Sequence, residues 1–516
     1  MKTIKRSVLA VLMVAAMLMT LLAGCSKSET TTETAEVSNV ELTIPYSQNV
    51  GIWGIDPGLE NGNGLNGQGV TESLFLLNNE NNALEPYLAE SYENPDPTTW
   101  VITLKDNIDF SNGEKLTAEI AKNALQYYLD KNPKAPTALN IKEMTADGQV
   151  LTIKTNEAVA TLPKVLTGYP IFYCDGAAHD YEKEGIIGTG AFILESWDSS
   201  GNREVVRNEN YWQGMPAAAK IHIKPISDAA ALTLALQSGE IDWAGIQTSD
   251  AGLFENNSQY KIQEYDNGRL YFMFVNPNTT FTQDPVLREA LQYAFDRQSY
   301  IDGVYEGRGK PATTIFPDWT GYYDASVTQK NYDKAQAQKI LADNGYVDTD
   351  GDGFVEKDGQ KVFLNITTYN SNGFTTLSQA LQSSLKEIGI DSEILIAEQI
   401  ADQLQKGEYN IALYGHSTLT NGDSLNMLES LFTTNGYENY NKMNNAAIDT
   451  AVNNLKATSV EADREKYSIE AQKAVYDTND FIFLTFVYTY TISQSNVQNL
   501  EQSRNNNYFL WKVTKN

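Results

Sequence analysis

The stretch that decides the fold is residues 362–397, VFLNITTYNSNGFTTLSQALQSSLKEIGIDSEILIA. Its mostly apolar and β-branched start predicts a strand over Val362–Thr368. A helical pattern over Thr375–Ile388 follows and is stopped by Gly389, and Ser392–Ala397 predicts a second strand. A strand, a helix and a further strand form a βαβ unit, so the sequence indicates an α/β fold with crossover helices.

The same alternation of strands and helices continues towards the N-terminus. Asp284 followed by Pro285 combines a helix cap with a first-turn proline and predicts the start of a helix. In the first half, Thr117–Asp130 has helical periodicity, and Trp100–Leu104 and Val150–Thr155 predict strands. The whole folded part of the chain is therefore expected to be α/β.

Two strongly apolar runs flank the regular second half of the chain. They are Leu270–Val275 and Phe481–Tyr490. A chain of 516 residues suggests about three compact units or two large lobes. We expect each apolar run to be a place where the chain crosses between lobes.

The composition excludes several classes of function. Lys and Arg number 38 against 66 Asp and Glu, which gives a net charge of −28. A chain this acidic repels a phosphate backbone, so nucleic acid is not expected as a partner. Two Cys and three His leave little material for a disulfide framework or a Cys/His metal cage. The sequence contains neither G-x-S-x-G nor H-E-x-x-H, so we expect no enzyme and no required cofactor.

The N-terminus has the pattern of an export signal. A basic start, Lys2 to Arg6, precedes an apolar run from Val8 to Leu22, which is shorter than the ~20 residues that span a bilayer. The signal ends Leu22-Ala23-Gly24-Cys25, which resembles the bacterial lipobox, whose Cys receives a lipid. The alternative is a plain signal peptide with a chance Cys.

The lipobox interpretation predicts how the mature protein is held at the cell surface. Residues 1–24 would be removed, Cys25 would carry the lipid, and residues 25–39, rich in Ser, Thr and Glu, would form a flexible tether. The mature chain would keep 35 basic against 66 acidic residues, a net charge of −31. We expect it on the outer face of the cytoplasmic membrane, extracellular in a Gram-positive bacterium and periplasmic otherwise, with the lipid as its membrane contact.

Four segments in fixed order resemble a known family. They are Phe110-Ser111-Asn112-Gly113-Glu114, Ile187-Gly188-Thr189-Gly190, Arg207-Asn208-Glu209-Asn210-Tyr211-Trp212, and the Asp284-Pro285 helix start with Arg288 and Ala290. In order and spacing the chain resembles the family 5 solute-binding proteins of ABC importers, which serve peptides and nickel.

The resemblance implies a two-lobed periplasmic-binding-protein-like fold of the large type, with an extra subdomain in lobe I and a hinge between the lobes. Lobe I would comprise residues 40–272, with the extra subdomain over about 66–186, and lobe II residues 273–488. Residues 489–516 would return to lobe I. The protein would be a monomer that closes on a short peptide and delivers it to a membrane permease.

The resemblance also implies where the ligand binds. The loop after the predicted strand Tyr409–Tyr414 looks like the family's cleft loop, and Asp423 is the position that would pair with a peptide's ammonium group. Asp423 could instead cap a helix that starts at Ser424. Further candidate ligand-binding residues are Tyr414, Gly415, His416, Ser417, Trp53 and Arg269.

Two other functions stay open at this stage. A nickel chelate is the alternative ligand, for which His416 could supply an imidazole. Arg269, beside the first apolar run, is a candidate for a ligand carboxylate. A lipoprotein that senses or adheres without transport would share all these sequence features.

An acidic stretch could bind calcium. Asp348, Asp350 and Asp352 match the first ligand positions of an EF-hand loop, but its twelfth position is Gly359, where a Glu belongs. Glu356 and Asp358 could substitute in an irregular structural site. The alternative is a tight Asp/Gly turn without an ion.

Overall fold

Strands and helices alternate along the chain. The computed structural model describes residues 39–46, 55–58, 64–78, 80–370, 373–501 and 510–516. The strands are β1 (Glu41–Tyr46), β2 (Phe75–Leu77), β3 (Leu84–Pro86), β4 (Ala89–Asp96), β5 (Thr99–Leu104), β6 (Ile141–Asp147), β7 (Val150–Thr155), β8 (Phe192–Trp197), β9 (Arg203–Arg207), β10 (Lys220–Pro225), β11 (Trp243–Ile246), β12 (Tyr260–Val275), β13 (Gly309–Pro311), β14 (Glu356–Lys357), β15 (Gln360–Lys361), β16 (Phe363–Thr368), β17 (Asp391–Ile396), β18 (Ile411–Ser417), β19 (Phe481–Gln494), β20 (Val497–Gln498) and β21 (Thr514–Lys515). The α-helices are α1 (Gly64–Gly67), α2 (Ala118–Lys131), α3 (Ala135–Leu139), α4 (Leu162–Val165), α5 (Tyr181–Glu184), α6 (Ala229–Gln237), α7 (Pro285–Gln292), α8 (Arg297–Val304), α9 (Lys334–Asp343), α10 (Phe374–Glu387), α11 (Ile400–Lys406), α12 (Leu425–Phe432), α13 (Ala446–Ala457) and α14 (Glu461–Tyr476).

The βαβ unit predicted from residues 362–397 is confirmed. Strands β16 and β17 are parallel, with Phe363 opposite Asp391, and α10 connects them. The predicted helix starts at Thr117 and Asp284 are confirmed as well, since each of these side chains accepts a hydrogen bond from a backbone N–H in the first turn.

The two apolar runs form neighbouring strands at the centre of one sheet. The strand order is β11-β19-β12-β18-β16-β17, with β12 antiparallel to both β18 and β19. Side chains alternate across β12, so Leu270, Phe272 and Phe274 join one core while Tyr271 and Met273 join another. Helices α7, α9 and α10 cover one face, and α12, α13 and α14 cover the other. These three layers form the second lobe.

The first lobe has its own core. It contains the sheets β1-β10-β9-β8 and β4-β5-β7-β6, and α2 packs on it through Ala121, Leu125 and Tyr128. C-terminal residues Val497 and Val513 belong to the same core. Strands β12 and β19 run past this lobe into the second, and the predicted lobe boundaries at 272/273 and 488/489 fall inside these strands.

The crossing strand β12 is irregular at its middle. Its pairing with β19 shifts register between Asp266 and Arg269, and Gly268 has a φ of +75°. This positive φ is a conformation that glycine adopts readily. Among the described residues, no helix has the length and apolar character required to cross a membrane.

Candidate functional site

A large cleft lies where the two lobes meet. Its volume is about 1360 Å³, and its lining includes Gln68, Tyr211 and Trp511 from the first lobe and Arg269 and Tyr305 from the second. Amide, hydroxyl and aromatic side chains are mixed along its walls. Such a cavity is roomy enough for a small-molecule ligand and offers many hydrogen-bonding partners.

Among the described residues of the lining, Arg269 is the cation that remains available to a ligand. It lies half-buried in β12, directly opposite Ser417 of β18, and both residues line the cleft. Among the described residues, no carboxylate lies within ion-pairing distance of its guanidinium. Burial raises the pKa of neighbouring Tyr271 to about 12, and the charge of Arg269 opposes that shift. A guanidinium in this position can bind a ligand carboxylate through two parallel hydrogen bonds.

The acidic groups of the described lining are already satisfied. Glu72 is buried, and its two oxygens accept hydrogen bonds from four side chains, namely Tyr87, Thr189, Tyr211 and Trp212, at 2.6–3.0 Å. Burial raises the pKa of Glu72, and these donors oppose that shift. The other acid, Glu306, pairs with Arg308 at 2.5 Å. Neither carboxylate is left to bind an ammonium group.

Asp423 does not line the cleft, which contradicts its predicted role as the ammonium-binding residue. Its oxygens accept hydrogen bonds from Arg464 at 2.5 and 3.1 Å, from the Tyr322 hydroxyl at 3.1 Å and from the Leu425 N–H at 2.9 Å. Lys164 lies 3.3 Å from the same carboxylate. Burial acts to raise the pKa of Asp423, but the positive charges of Arg464 and Lys164 lower it overall.

The surroundings of Asp423 connect the two lobes. We call Lys164, Tyr322, Asp423, Glu461 and Arg464 the cross-lobe cluster. Lys164 belongs to α4 of the first lobe, whereas the other four residues belong to the second. A further contact joins the lobes nearby, since the Asn82 side chain donates to the Gly422 carbonyl at 2.6 Å. The sequence indicates neither Lys164 nor Arg464, because both lie far along the chain from Asp423.

The remaining residues of the predicted cleft loop divide between two faces. His416 lies 3.3 Å from Glu438 and Tyr414 donates to the same carboxylate at 3.1 Å, and neither side chain lines the cleft. Successive residues of a strand point to opposite faces, so Gly415 and Ser417 lie on the other side. A Cβ atom at Gly415 would come within 2.9 Å of Tyr271. The predicted imidazole for a metal therefore faces away from the cleft.

Comparison with known proteins decides the family. The sequence profile of "Bacterial extracellular solute-binding proteins, family 5 Middle" matches residues 83–439. The chain belongs to family 5 of these solute-binding proteins. Its fold is therefore the two-lobed α/β fold predicted from the sequence.

Relatives within family 5 are named for different ligands. The chain is 29% identical over 394 residues to the nickel-binding protein NikA of Staphylococcus aureus, covering 76% of this chain and 77% of that one. It is 26% identical over 442 residues to the oligopeptide-binding protein AppA of Bacillus subtilis, covering 80% of each. The structure of a nickel ABC transporter protein from Bacillus halodurans superimposes with a TM-score of 0.82 at 24% identity, covering 92% of this chain and all of that one.

Two predicted residues lie outside the described part of the chain. They are the lipid-acceptor candidate Cys25 and the ligand candidate Trp53. Of the other predicted cleft residues, the structure brings Arg269 and Ser417 together at the cleft wall.

A third group of predicted residues lies in the second lobe, away from the described cleft lining. We call Asp348, Asp350, Asp352 and Glu356 the acidic loop. One oxygen from each of these four carboxylates lies within 4.8 Å of the others. The predicted convergence of the four side chains is thus present, while the ion stays a prediction.

Proposed function

We propose that this family 5 protein captures a short peptide in the cleft between its lobes and delivers it to the permease of an ABC importer. It acts as a monomer and is not an enzyme. The observation that carries the proposal is Arg269, a half-buried cation on the cleft wall without a protein carboxylate among the described residues. Its partner is the carboxylate of the peptide.

Closure of the lobes makes this contact strong. In the open protein, water surrounds Arg269 and weakens its attraction for a carboxylate. Closure removes water from the cleft and brings Lys164 of the first lobe against Asp423 of the second. Hinge closure around a ligand is a common motion of binding proteins. The cross-lobe cluster thus stabilises the closed form in which the ligand is held.

The size and lining of the cleft suit a peptide. Amide and hydroxyl groups such as Gln68, Asn421 and Ser417 can hydrogen-bond to a peptide main chain directly or through water. The relative AppA of Bacillus subtilis has been crystallised in complex with a nonapeptide. A cleft that binds the main chain accepts many side chains, so we expect broad sequence preference.

One observation favours a nickel chelate as the second candidate. The described lining holds no unpaired carboxylate that could neutralise a peptide's ammonium group. In an amino-acid chelate of nickel the amine nitrogens bind the metal and carry no positive charge. The chelate carboxylate would bind Arg269, and no protein imidazole would be needed. The relative NikA of Staphylococcus aureus has been crystallised with Ni(L-His)2.

Calorimetry separates the two ligands. A casein digest offers peptides of many lengths, and native mass spectrometry identifies one that the protein retains. The peptide proposal predicts binding heat with that peptide and at least tenfold weaker binding of its C-terminal amide. The chelate candidate predicts heat with nickel and L-histidine together, and none with either alone or with any peptide. Absence of heat with all these ligands contradicts both candidates.

We further propose that Cys25 carries a lipid that anchors the protein at the membrane. Two or more acyl chains hold a soluble protein stably, because each buried CH₂ contributes about 0.8 kcal/mol. Cys25→Ser is then expected to release the protein into the medium or periplasm, as detected by membrane fractionation and blotting. Unchanged partitioning of that variant contradicts the anchor.

Transport itself requires a separate test, since a sensor or adhesion lipoprotein would bind ligand equally well. Cells that lack this protein should accumulate less labelled peptide than cells that produce it. Equal accumulation in the two strains would favour the alternative without transport.

A further inference from the structure

The acidic loop has a rigid frame that holds its carboxylates together. The loop follows α9 and closes where Val347 and Glu356 exchange two backbone hydrogen bonds of 3.0 and 3.1 Å. The Asp348 carboxylate accepts hydrogen bonds from the N–H groups of Gly351 and Gly353, at 2.7 and 3.0 Å. Its remaining lone pairs can meet a cation together with those of the neighbouring carboxylates, of which Asp352 also pairs with Lys361 at 2.9 Å.

Glu356 is the residue that points to a missing partner. It is only 9% exposed, and one of its oxygens, Oε2, accepts hydrogen bonds from the N–H and hydroxyl groups of Thr349 at 2.7 and 2.6 Å. The other oxygen, Oε1, is buried and accepts no hydrogen bond. Leaving a buried carboxylate oxygen without a partner is costly. A cation bound by the carboxylates of the acidic loop would supply that partner.

We infer that the acidic loop binds one calcium ion. All four side chains offer hard oxygen donors, which suit Ca²⁺ or Mg²⁺ rather than nickel or zinc. Calcium takes six to eight oxygens in flexible geometry, and backbone carbonyls and water can complete the set. Magnesium demands a near-ideal octahedron and releases its water reluctantly, so this irregular group of oxygens favours calcium.

The ion would stabilise the second lobe rather than take part in ligand capture. None of the acidic loop lines the cleft. Beside the loop, the Val355 N–H donates to the Gly389 carbonyl at 2.7 Å. Val362, which directly precedes β16, belongs to the core of the second lobe. A bound ion that holds the loop closed would therefore fix the position of the chain segment that leads into β16. Because the ion binds only the folded loop, it raises the melting temperature by mass action.

Calorimetry on the full chain, freed of metal by a chelator, tests the site. We expect a Kd for calcium of about 10⁻⁴ to 10⁻³ M, as in other extracellular calcium modules, and weaker binding of magnesium. Glu356→Gln keeps the shape of the side chain but removes its charge, and should weaken calcium binding at least tenfold. Asp358→Asn is the matched control. Asp358 lies in the same hairpin with a φ of +53°, which Asn also tolerates, and it is outside the acidic loop.

Thermal unfolding provides a second measurement on the same proteins. Calcium should raise the melting temperature of the parent and of Asp358→Asn relative to excess chelator, and should have little effect on Glu356→Gln. The melting temperatures of the parent in calcium and in chelator test the calcium site even if a variant fails to fold. No calcium heat up to 10 mM together with equal melting temperatures in calcium and chelator overturns the proposal. Equal losses of affinity in Glu356→Gln and Asp358→Asn also overturn it.

Discussion

At the scale of single residues, the Asp423 carboxylate forms ion pairs with two buried cationic side chains. Arg464 is 1% exposed and Lys164 is 7% exposed, and both contact the Asp423 carboxylate. Transfer of such charges out of water is costly, and their mutual attraction offsets that cost only while all partners are present. Asp423 thus contributes to stability as the buried anion of Arg464, and it shares Lys164 with Glu461.

Asp423→Asn should therefore destabilise the fold by about 3–5 kcal/mol, since it leaves Arg464 buried without its carboxylate partner and Lys164 with Glu461 alone. Urea unfolding at neutral pH measures the difference. The folded state lowers the pKa of Asp423 below its usual 3.8, so the stability from its ionised form is present above pH 3.8 and is lost as the pH falls through the folded pKa. The penalty should shrink over the same acidic range.

Asp477→Asn is a suitable control for this experiment. Asp477 is 69% exposed and pairs with Lys473 one helical turn away. The control should leave the free energy of unfolding nearly unchanged. An equally small effect of Asp423→Asn would contradict the proposed role of the buried charges.

The sequence predicts part of the site and misses another part for a physical reason. Arg269 and Ser417 are predicted cleft residues and line it, because they lie on strands whose apolar pattern is plain. Arg464 is missed because the buried face of α14 includes polar side chains, among them Arg464, Ser468 and Gln472. A helix with such a face has no apolar stripe to reveal it. Without α14, the partner of Asp423 could not be inferred.

At the scale of elements, the irregularity in β12 positions the residue that follows it. Gly268 is buried, and its carbonyl accepts hydrogen bonds from the N–H and hydroxyl groups of Thr418, at 3.0 and 2.9 Å. A Cβ atom at Gly268 would lie 2.8 Å from that hydroxyl oxygen. The close approach fixes the distance between β12 and the loop after β18, and so fixes Arg269 at the cleft wall.

Gly268→Ala should cost about 1–3 kcal/mol of stability, because alanine is strained at positive φ and its Cβ would displace Thr418. The variant should also bind the ligand more weakly, since Arg269 is the next residue. Gly303→Ala in α8 is the control, because no atom beyond its chain neighbours and the backbone of its own helix lies within 4 Å of the Cβ position, and alanine favours a helix by about 0.5–1 kcal/mol. Urea unfolding and calorimetry check both variants. Equal stability of the two would contradict the argument.

Local signals explain which elements could be predicted. Helices with a capping side chain and an apolar face, such as α2 and α7, appear where the sequence indicates them. The short strands β13 and β14 have three and two residues, which is too few for a periodic pattern. Their pairing depends on tertiary contacts that no local pattern encodes.

At the scale of the whole molecule, Lys164 links the lobes. Its ammonium group contacts Asp423 at 3.3 Å and Glu461 at 3.0 Å across the lobe boundary. A contact made only in the closed form shifts the equilibrium towards closure, and ligand affinity follows the population of that form. The family resemblance indicates two lobes, but not the residues that join them.

Lys164→Met should weaken ligand binding by about three- to tenfold, because the closed form loses its ion pairs while Asp423 keeps Arg464. Small-angle scattering of the ligand-free variant should show a more open shape than the parent. Lys122→Met, which removes an ion pair to Glu119 within α2, should change neither measurement. Unchanged affinity and shape in Lys164→Met would contradict the closing role.

The most direct test of ligand capture is a double-mutant cycle between Arg269 and the ligand carboxylate. Parent and Arg269→Gln are each titrated calorimetrically with the retained peptide and with its C-terminal amide. If Arg269 binds the carboxylate, either change alone weakens binding at least tenfold and the second change adds little, which gives a coupling energy of about 1.4 kcal/mol or more. Losses that simply add, with no coupling, would contradict the account.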